Sequence, residues 1–150
     1  MDNKVILLVE DKSDDVALAE RALRKANIVS TLVVVRDGAA ALDYVFATGA
    51  YAGRDPSLTP QVILLDLNLP KISGLEVLKR LRADERTQLL PVVVLTSSKE
   101  ERDLVASYKF GANSYVRKPV NFEQFAEAVR QLGQYWLILN EPPPLRGAMA

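Results

Sequence analysis

The chain contains neither cysteine nor histidine. The absence of cysteine excludes disulfide bonds, thiolate nucleophiles and thiolate metal ligands. The absence of histidine removes the commonest general base and the commonest side-chain ligand of transition metals. Any chemistry in this protein must therefore depend on carboxylates, hydroxyls, amines or a hard metal ion.

The sequence also lacks an excess of charge of one sign and any long apolar run. Nineteen basic and nineteen acidic residues give a formal net charge of zero, without a basic stripe that would favour nucleic-acid binding. No apolar run approaches the ~20 residues that span a bilayer, and the N-terminus does not show a signal-peptide pattern. We therefore expect a cytoplasmic protein that binds neither nucleic acid nor membrane directly.

Five aliphatic runs predict β-strands at residues 5–9, 32–35, 62–65, 92–95 and 114–116. The runs are nearly continuous and do not alternate with polar residues, which indicates a parallel sheet covered on both faces. Helical patterns occupy residues 14–26, 39–46, 75–81, 100–110 and 122–139. This repeated βα order predicts an α/β doubly wound sheet, with the flavodoxin-like strand order 2-1-3-4-5 and five helices on both faces.

The length of 150 residues and the apolar content of 49% fit one domain with a sizeable core. We expect that domain to cover residues 1–140, with a proline-rich tail at 141–150 that cannot continue a helix. The connection at residues 49–60 is long for a helix-to-strand link. Ser13 or Asp14 is expected to cap the first helix, and Asn121 the last.

Polar residues follow four of the predicted strands directly. In chain order they are Glu10 and Asp11, then Asp66 and Asn68, then Thr96 and Ser98, and finally Lys118. Because the carboxyl ends of parallel strands meet at one edge of a sheet, these side chains should converge there. Three carboxylates, a hydroxyl and an ammonium suit a hard divalent cation and a phosphoryl group.

Asp66 is the centre of this predicted site, because a carboxylate can accept a phosphoryl group and form an aspartyl phosphate. Glu10 and Asp11 would repel Asp66 unless a cation such as Mg²⁺ lay between them. Lys118 can place a positive charge on a phosphoryl oxygen, and the bond to Pro119 is a candidate cis peptide. Each residue alone also fits an ordinary turn or helix start, so the combination carries the hypothesis.

The order of these residues resembles the receiver domain of two-component response regulators, over residues 4–139. The resemblance implies that Asp66 is the phosphoacceptor and that a sensor histidine kinase supplies the phosphoryl group from a phosphohistidine. It implies that Asp11, Asp66 and the backbone carbonyl of Asn68 bind Mg²⁺, and that Glu10 acts through the metal's water shell. Many receivers have Asp at the position of Glu10.

The resemblance also implies roles for residues around the phosphoryl group. Thr96 and Lys118 would bind its oxygens, and Tyr115 would turn inward with Thr96 as the switch aromatic. Asn68 and Ser98 occupy positions that tune the access of the water that removes the phosphoryl group. The protein would then be a phosphoacceptor that catalyses only its own phosphorylation and dephosphorylation.

The last predicted helix carries five consecutive large apolar residues at positions 135–139. One helix face cannot bury five adjacent side chains, so some of them should be exposed or meet a partner. We expect a homodimer through this helix and its neighbours, with Tyr135, Trp136 and Ile138 as candidates for its surface. The long connection and the proline-rich end resemble the small receivers of bacterial phytochrome kinases, which implies a light-sensing kinase as partner.

Other functions remain open from the sequence. A phosphohydrolase of the haloacid-dehalogenase type would need a second Asp two residues after Asp66, where this chain has Asn68. A dinucleotide-binding domain would need a glycine-rich turn after the first strand, where acidic residues stand. A phosphorelay intermediate, a phosphate sink and a docking module that is never phosphorylated are further alternatives.

Overall fold

The computed structural model describes residues 4–28 and 30–144, in which five strands alternate with five helices. The strands are β1 (Val5–Val9), β2 (Thr31–Val35), β3 (Val62–Leu65), β4 (Val92–Thr96) and β5 (Ser114–Arg117). The helices are α1 (Ser13–Lys25), α2 (Gly38–Phe46), α3 (Gly74–Ala83), α4 (Glu101–Lys109) and α5 (Phe122–Gln134). None of the helices in this described part is long and apolar enough to cross a membrane.

The strands form one parallel sheet in the order β2-β1-β3-β4-β5. This confirms the predicted α/β doubly wound architecture and its flavodoxin-like order. The predicted strands and helices are all present, and their ends differ from the prediction by one or two residues, apart from the C-terminal end of α5. The element order places the carboxyl ends of β1, β3, β4 and β5 side by side at one edge.

The sheet separates two apolar cores. Successive residues of a strand point to opposite faces, so Ile6 and Leu8 contribute to one core while Leu7 and Val9 contribute to the other. Helices α1 and α5 cover the first core, and α2 and α3 cover the second. Every residue of β3 and β4 is buried, which explains why these strands read as uninterrupted aliphatic runs.

The start of α3 lies directly against the segment that carries Asp66. A Cβ atom at Gly74 would lie 2.2 Å from the carbonyl oxygen of Asp66 and 2.7 Å from the Cα atom of Leu67. The Gly74 amide donates a hydrogen bond to the Leu67 carbonyl over 3.0 Å. Ser73 caps the helix by accepting a hydrogen bond from the Glu76 amide. Only glycine at position 74 therefore allows the loop after β3 to close this tightly.

The cap of α1 differs from the prediction. The helix begins at Ser13, so its N-cap is Lys12, whose side chain makes no capping hydrogen bond. The expectation that Ser13 or Asp14 caps α1 is therefore wrong; the Ser13 hydroxyl instead accepts a hydrogen bond from Arg36 over 3.2 Å. Asn121 caps α5 as expected.

The long connection between α2 and β3 is held by one guanidinium. Arg54 donates hydrogen bonds to the carbonyls of Tyr44 (2.8 Å), Val45 (3.3 Å) and Leu58 (2.7 Å), and lies 4.1 Å from the centre of the Tyr44 ring. Two of these carbonyls lie in the last turn of α2, where Tyr44 also accepts a hydrogen bond from the Ala47 amide, and the third lies in the connection itself. The connection is thus anchored to the helix that precedes it.

The end of the last helix changes its hydrogen-bond pattern. Residues Tyr135–Leu139 are π-helical, and the Asn140 amide donates to the carbonyl of Tyr135 five residues earlier over 2.6 Å. Leu137 is buried, whereas Tyr135, Ile138 and Leu139 are exposed by 48%, 64% and 75%. This confirms that the five adjacent apolar side chains are not buried together. The helix stops before the prolines; residues 145–150 of the predicted tail lie outside the described residues.

Candidate metal and phosphoryl site

The predicted site residues follow the strands at the shared carboxyl edge of the sheet. Backbone hydrogen bonds continue one residue past the strands: the Glu10 amide donates to Val35 (3.0 Å) and the Asp66 amide to Val9 (3.1 Å). The Lys118 amide similarly donates to the carbonyl of Thr96 over 2.7 Å. The sheet therefore fixes the backbone of Glu10, Asp66 and Lys118. These residues lie at one edge, as predicted from the order of the strands.

Three carboxylates form a compact cluster at this edge. One oxygen each from Glu10, Asp11 and Asp66 lies within 4.8 Å of the other two. Glu10 and Asp66 are 2% exposed, while Asp11 is open to solvent. Mg²⁺ prefers carboxylate oxygens together with retained waters, and the cluster offers both these ligands and access for water. The donor set therefore fits Mg²⁺. The backbone amide of Asn68 donates a hydrogen bond to the Asp66 carboxylate over 3.3 Å.

Lys118 connects the cluster to helix α1. Its ammonium contacts three carboxylates: Glu10, Asp15 at 2.8 Å and Asp66 at 3.2 Å. Only 6% of the Lys118 side chain is exposed. An ammonium carries three N–H donors, so each of these carboxylates can accept one hydrogen bond. The peptide bond from Lys118 to Pro119 is trans, as are all bonds in the described residues, so the candidate cis peptide is absent.

The electrostatics of the cluster favour a further cation. Burial opposes the charged form of Lys118, but hydrogen bonds to Asp15 and Glu10 outweigh it and raise the pKa of Lys118 above its usual value. Burial and the neighbouring charge of Asp66 together raise the pKa of Glu10, although its contact with Lys118 opposes this shift. One ammonium therefore does not fully compensate the buried carboxylate, and a divalent cation beside Glu10 would stabilise its ionised form.

The predicted switch residues meet at the backbone of Ser98. The fully buried Thr96 hydroxyl accepts a hydrogen bond from the Ser98 amide over 3.3 Å. The Tyr115 hydroxyl donates to the Ser98 carbonyl over 3.4 Å. The Ser98 hydroxyl points to α4, where it donates to Asp103 (2.6 Å) and accepts from the Glu100 amide (3.2 Å). Ser98 thus links the end of β4 to both α4 and Tyr115.

Sequence analysis did not identify Asp15 or Asp103 as site residues. Asp15 lies in the first turn of α1 and belongs to the same acidic run as Glu10 and Asp11. The acidic run after β1 therefore contained a signal for its position. Its contact with Lys118 depends on how α1 packs over the sheet edge, which the residue pattern does not specify.

Comparison with known proteins agrees with this geometry. The family model for the response regulator receiver domain matches residues 6–130. Response regulator Rcp1 of Synechocystis sp. is 40% identical over 134 residues, which cover 89% of each chain. The Mn²⁺-bound form of Rcp1 has a TM-score of 0.87 at 38% identity, with 94% of this chain and 99% of that chain covered.

Two further solved structures that are similar to this chain are phytochrome or bacteriophytochrome response regulators by name. The phosphorylated cyanobacterial phytochrome response regulator RcpA has a TM-score of 0.89 at 38% identity, with 95% of this chain and 100% of that chain covered. The bacteriophytochrome response regulator RtBRR has a TM-score of 0.75 at 50% identity, with 95% of this chain and 86% of that chain covered. These likenesses extend over almost the whole length of the chains.

Replacement of Asp11 tests the carboxylate cluster. Without Mg²⁺, Asp11→Asn should raise the free energy of unfolding by about 1 kcal/mol, because it removes repulsion between like charges. With Mg²⁺, the wild type should gain stability and Asp11→Asn should gain much less, because it has lost a metal ligand. Urea unfolding in chelator and in Mg²⁺ measures both effects.

Asp14→Asn is the matched control, because it removes the same charge from an exposed residue of the same acidic run. It should retain the full Mg²⁺-dependent gain in stability. An equal gain for Asp11→Asn and the wild type would show that Asp11 is not a metal ligand.

Proposed function

The chain belongs to the response regulator receiver domain family, and on that premise we propose that it accepts a phosphoryl group on Asp66 from a sensor histidine kinase. The observation that carries this proposal is the contact of the Lys118 ammonium with the buried carboxylate of Asp66, which is clustered with the carboxylates of Glu10 and Asp11. A carboxylate held between an ammonium and a cation site is placed to receive a group rich in negative oxygens.

The transfer consists of one bond formed and one bond broken. A carboxylate oxygen of Asp66 attacks the phosphorus of a phosphohistidine, and the P–N bond breaks with its electron pair remaining on the imidazole nitrogen. Lys118 exchanges its hydrogen bond to Asp66 for one to a phosphoryl oxygen. Mg²⁺ held by Glu10, Asp11, Asp66 and the carbonyl of Asn68 would neutralise charge on the phosphoryl oxygens.

The switch uses the hydrogen bonds at Ser98. When the Thr96 hydroxyl turns to a phosphoryl oxygen, it gives up its hydrogen bond from the Ser98 amide. The backbone of Ser98, whose carbonyl accepts a hydrogen bond from the Tyr115 hydroxyl, is then released. Tyr115 can then turn inward, and the surface of α4, β5 and α5 repacks. Because the Ser98 hydroxyl is bound to Asp103, access of the hydrolytic water depends more on the exposed Asn68.

We propose a phytochrome-type kinase in the cytoplasm as the phosphoryl donor. This is supported by the names of the similar proteins, since RcpA is a phytochrome response regulator and RtBRR a bacteriophytochrome response regulator. The phosphoacceptor would act only on itself and not on a separate substrate. We also propose that the receiver domain covers residues 1–140 and that residues 141–150 form its tail.

We further propose that two copies associate through the π-helical segment Tyr135–Leu139. Tyr135 and Ile138 are exposed, as expected for a dimer surface, while Trp136 is half-buried and packs against the core. The rings of Tyr135 and Trp136 meet edge to face with their centres 5.0 Å apart, which stiffens this surface. Burial of Ile138 and Leu139 in a second copy would remove an exposed apolar patch from water.

The phosphoacceptor role predicts the addition of one phosphoryl group. After incubation with acetyl phosphate and Mg²⁺, intact-mass analysis should find one phosphoryl group on the wild type and on the exposed control Asp55→Asn. Addition should be lost in Asp66→Asn, because an amide is a far poorer nucleophile, and lost for all proteins in chelator. An Asp66→Asn protein phosphorylated at the wild-type level would contradict the assignment.

The choice of kinase predicts a difference in transfer rate. A phosphorylated phytochrome-type histidine kinase should transfer to this protein about tenfold faster or more than an unrelated histidine kinase at equal concentration, because a cognate pair fits better. Loss of label from each kinase, followed over time, gives the rates. Equal rates would argue against a phytochrome partner.

The proposed dimer predicts that a charge on its surface separates the two copies. Ile138→Glu should weaken the dimer at least about tenfold, because a carboxylate would be buried without a partner. Leu58→Glu is the control, since Leu58 is exposed by 63% compared with 64% for Ile138 and lies in the connection before β3. Sedimentation velocity over a range of concentrations measures the association. Identical association of the wild type and Ile138→Glu would place the dimer surface elsewhere.

A further inference from the structure

Asp15 contacts the key ammonium of the site but has no part in the proposed transfer. Its carboxylate lies 2.8 Å from the Lys118 Nζ atom, closer than the carboxylate of Asp66 at 3.2 Å. The Asp15 side chain is 24% exposed and the Lys118 side chain 6% exposed, so water only partly screens the pair. Such a contact stabilises one position of the ammonium.

The three carboxylate partners of Lys118 differ in what else they bind. Glu10 and Asp66 both belong to the carboxylate cluster that fits Mg²⁺, and Asp66 is also the proposed phosphoacceptor. Asp15 is not a member of that cluster. When a cation and a phosphoryl group occupy the site, they compete with Lys118 for two of its partners, and only its contact with Asp15 is unaffected.

Asp15 is also mounted on a rigid element. It precedes Val16 in the first turn of α1, and Val16 and Ala19 are buried in the core that the helix shares with α5. The Lys118 side chain, in contrast, is a flexible chain of four methylene groups. A carboxylate fixed on a packed helix can therefore determine where this flexible chain places its charge.

We propose that Asp15 is a positioning residue, which holds the ammonium of Lys118 beside Asp66 while Mg²⁺ and the phosphoryl group take its other two partners. One N–H of Lys118 stays on Asp15, and the N–H released by Asp66 is presented to a phosphoryl oxygen. This inference rests on the proposed phosphoacceptor role of Asp66 and adds a residue that acts only through Lys118.

Phosphorylation rates over a range of Mg²⁺ concentrations test the inference. Initial rates with saturating acetyl phosphate, measured by intact mass, give the maximal rate and the Mg²⁺ concentration at half-maximal rate. Asp15→Asn should lower the maximal rate about tenfold, the size of effect typical of residues that orient a functional group. The half-maximal Mg²⁺ concentration should stay within about twofold of wild type, because Asp15 lies outside the metal cluster.

Two further variants separate positioning from a structural role. Asp14→Asn removes the same charge from the adjacent, exposed residue in the first turn of α1 and should retain the wild-type rate. Asp15→Glu keeps the carboxylate and should recover part of the rate lost in Asp15→Asn. Loss of stability alone would not produce this recovery at an unchanged half-maximal Mg²⁺ concentration.

The outcomes distinguish the inference from the function on which it rests. A wild-type protein that takes no phosphoryl group would overturn the proposed function and the role of Asp15 with it. A phosphorylated wild type with an equal or higher maximal rate in Asp15→Asn would overturn the positioning role alone. A change confined to the half-maximal Mg²⁺ concentration would also overturn it, because Asp15 would then act on the metal.

Discussion

The ammonium of Lys118 holds the functional edge of this protein together. The buried carboxylates of Glu10 and Asp66, which follow β1 and β3, and the partly buried carboxylate of Asp15 in α1 all contact this one side chain. Without a positive charge, Glu10 and Asp66 would be two buried acids a few ångströms apart, which is strongly unfavourable. The same arrangement leaves the cluster short of positive charge, so it favours Mg²⁺ and, once the metal is bound, an incoming phosphoryl group. The stability of this edge and its proposed attraction to Mg²⁺ and a phosphoryl group thus both depend on the contacts of Lys118.

The sheet brings Lys118 together with Glu10 and Asp66 and leaves their backbone little freedom to move. Backbone hydrogen bonds to neighbouring parallel strands fix the positions of Glu10, Asp66 and Lys118. Gly74 lets α3 start against the carbonyl of Asp66, so the loop after β3 is tightly closed. A rigid scaffold with charged side chains at its edge is a general way to place functional groups before a ligand arrives.

Much of this arrangement could be predicted because the signals are local. Strands β3 and β4 are uniformly aliphatic, and Asp66 and Lys118 directly follow strand ends, so strand order alone predicted their convergence. Asp15 could not be assigned in this way, because its contact depends on the packing of α1 over the edge. The π-helical end of α5 was also missed, since burial of Leu137 with exposure of Ile138 depends on tertiary packing. The predicted cap of α1 was wrong because the helix begins at Ser13, which makes Lys12 the N-cap.

A crystal structure of the protein with Mg²⁺ and beryllofluoride, an analogue of the phosphoryl group, tests the central claim most directly. The account predicts beryllium on a carboxylate oxygen of Asp66 and Mg²⁺ among Glu10, Asp11 and Asp66. It also predicts that Lys118 leaves Asp66 for a fluoride while its contact with Asp15 remains. Beryllofluoride bound to another residue, or a Lys118 ammonium still bound to Asp66 and without a fluoride contact, would contradict it.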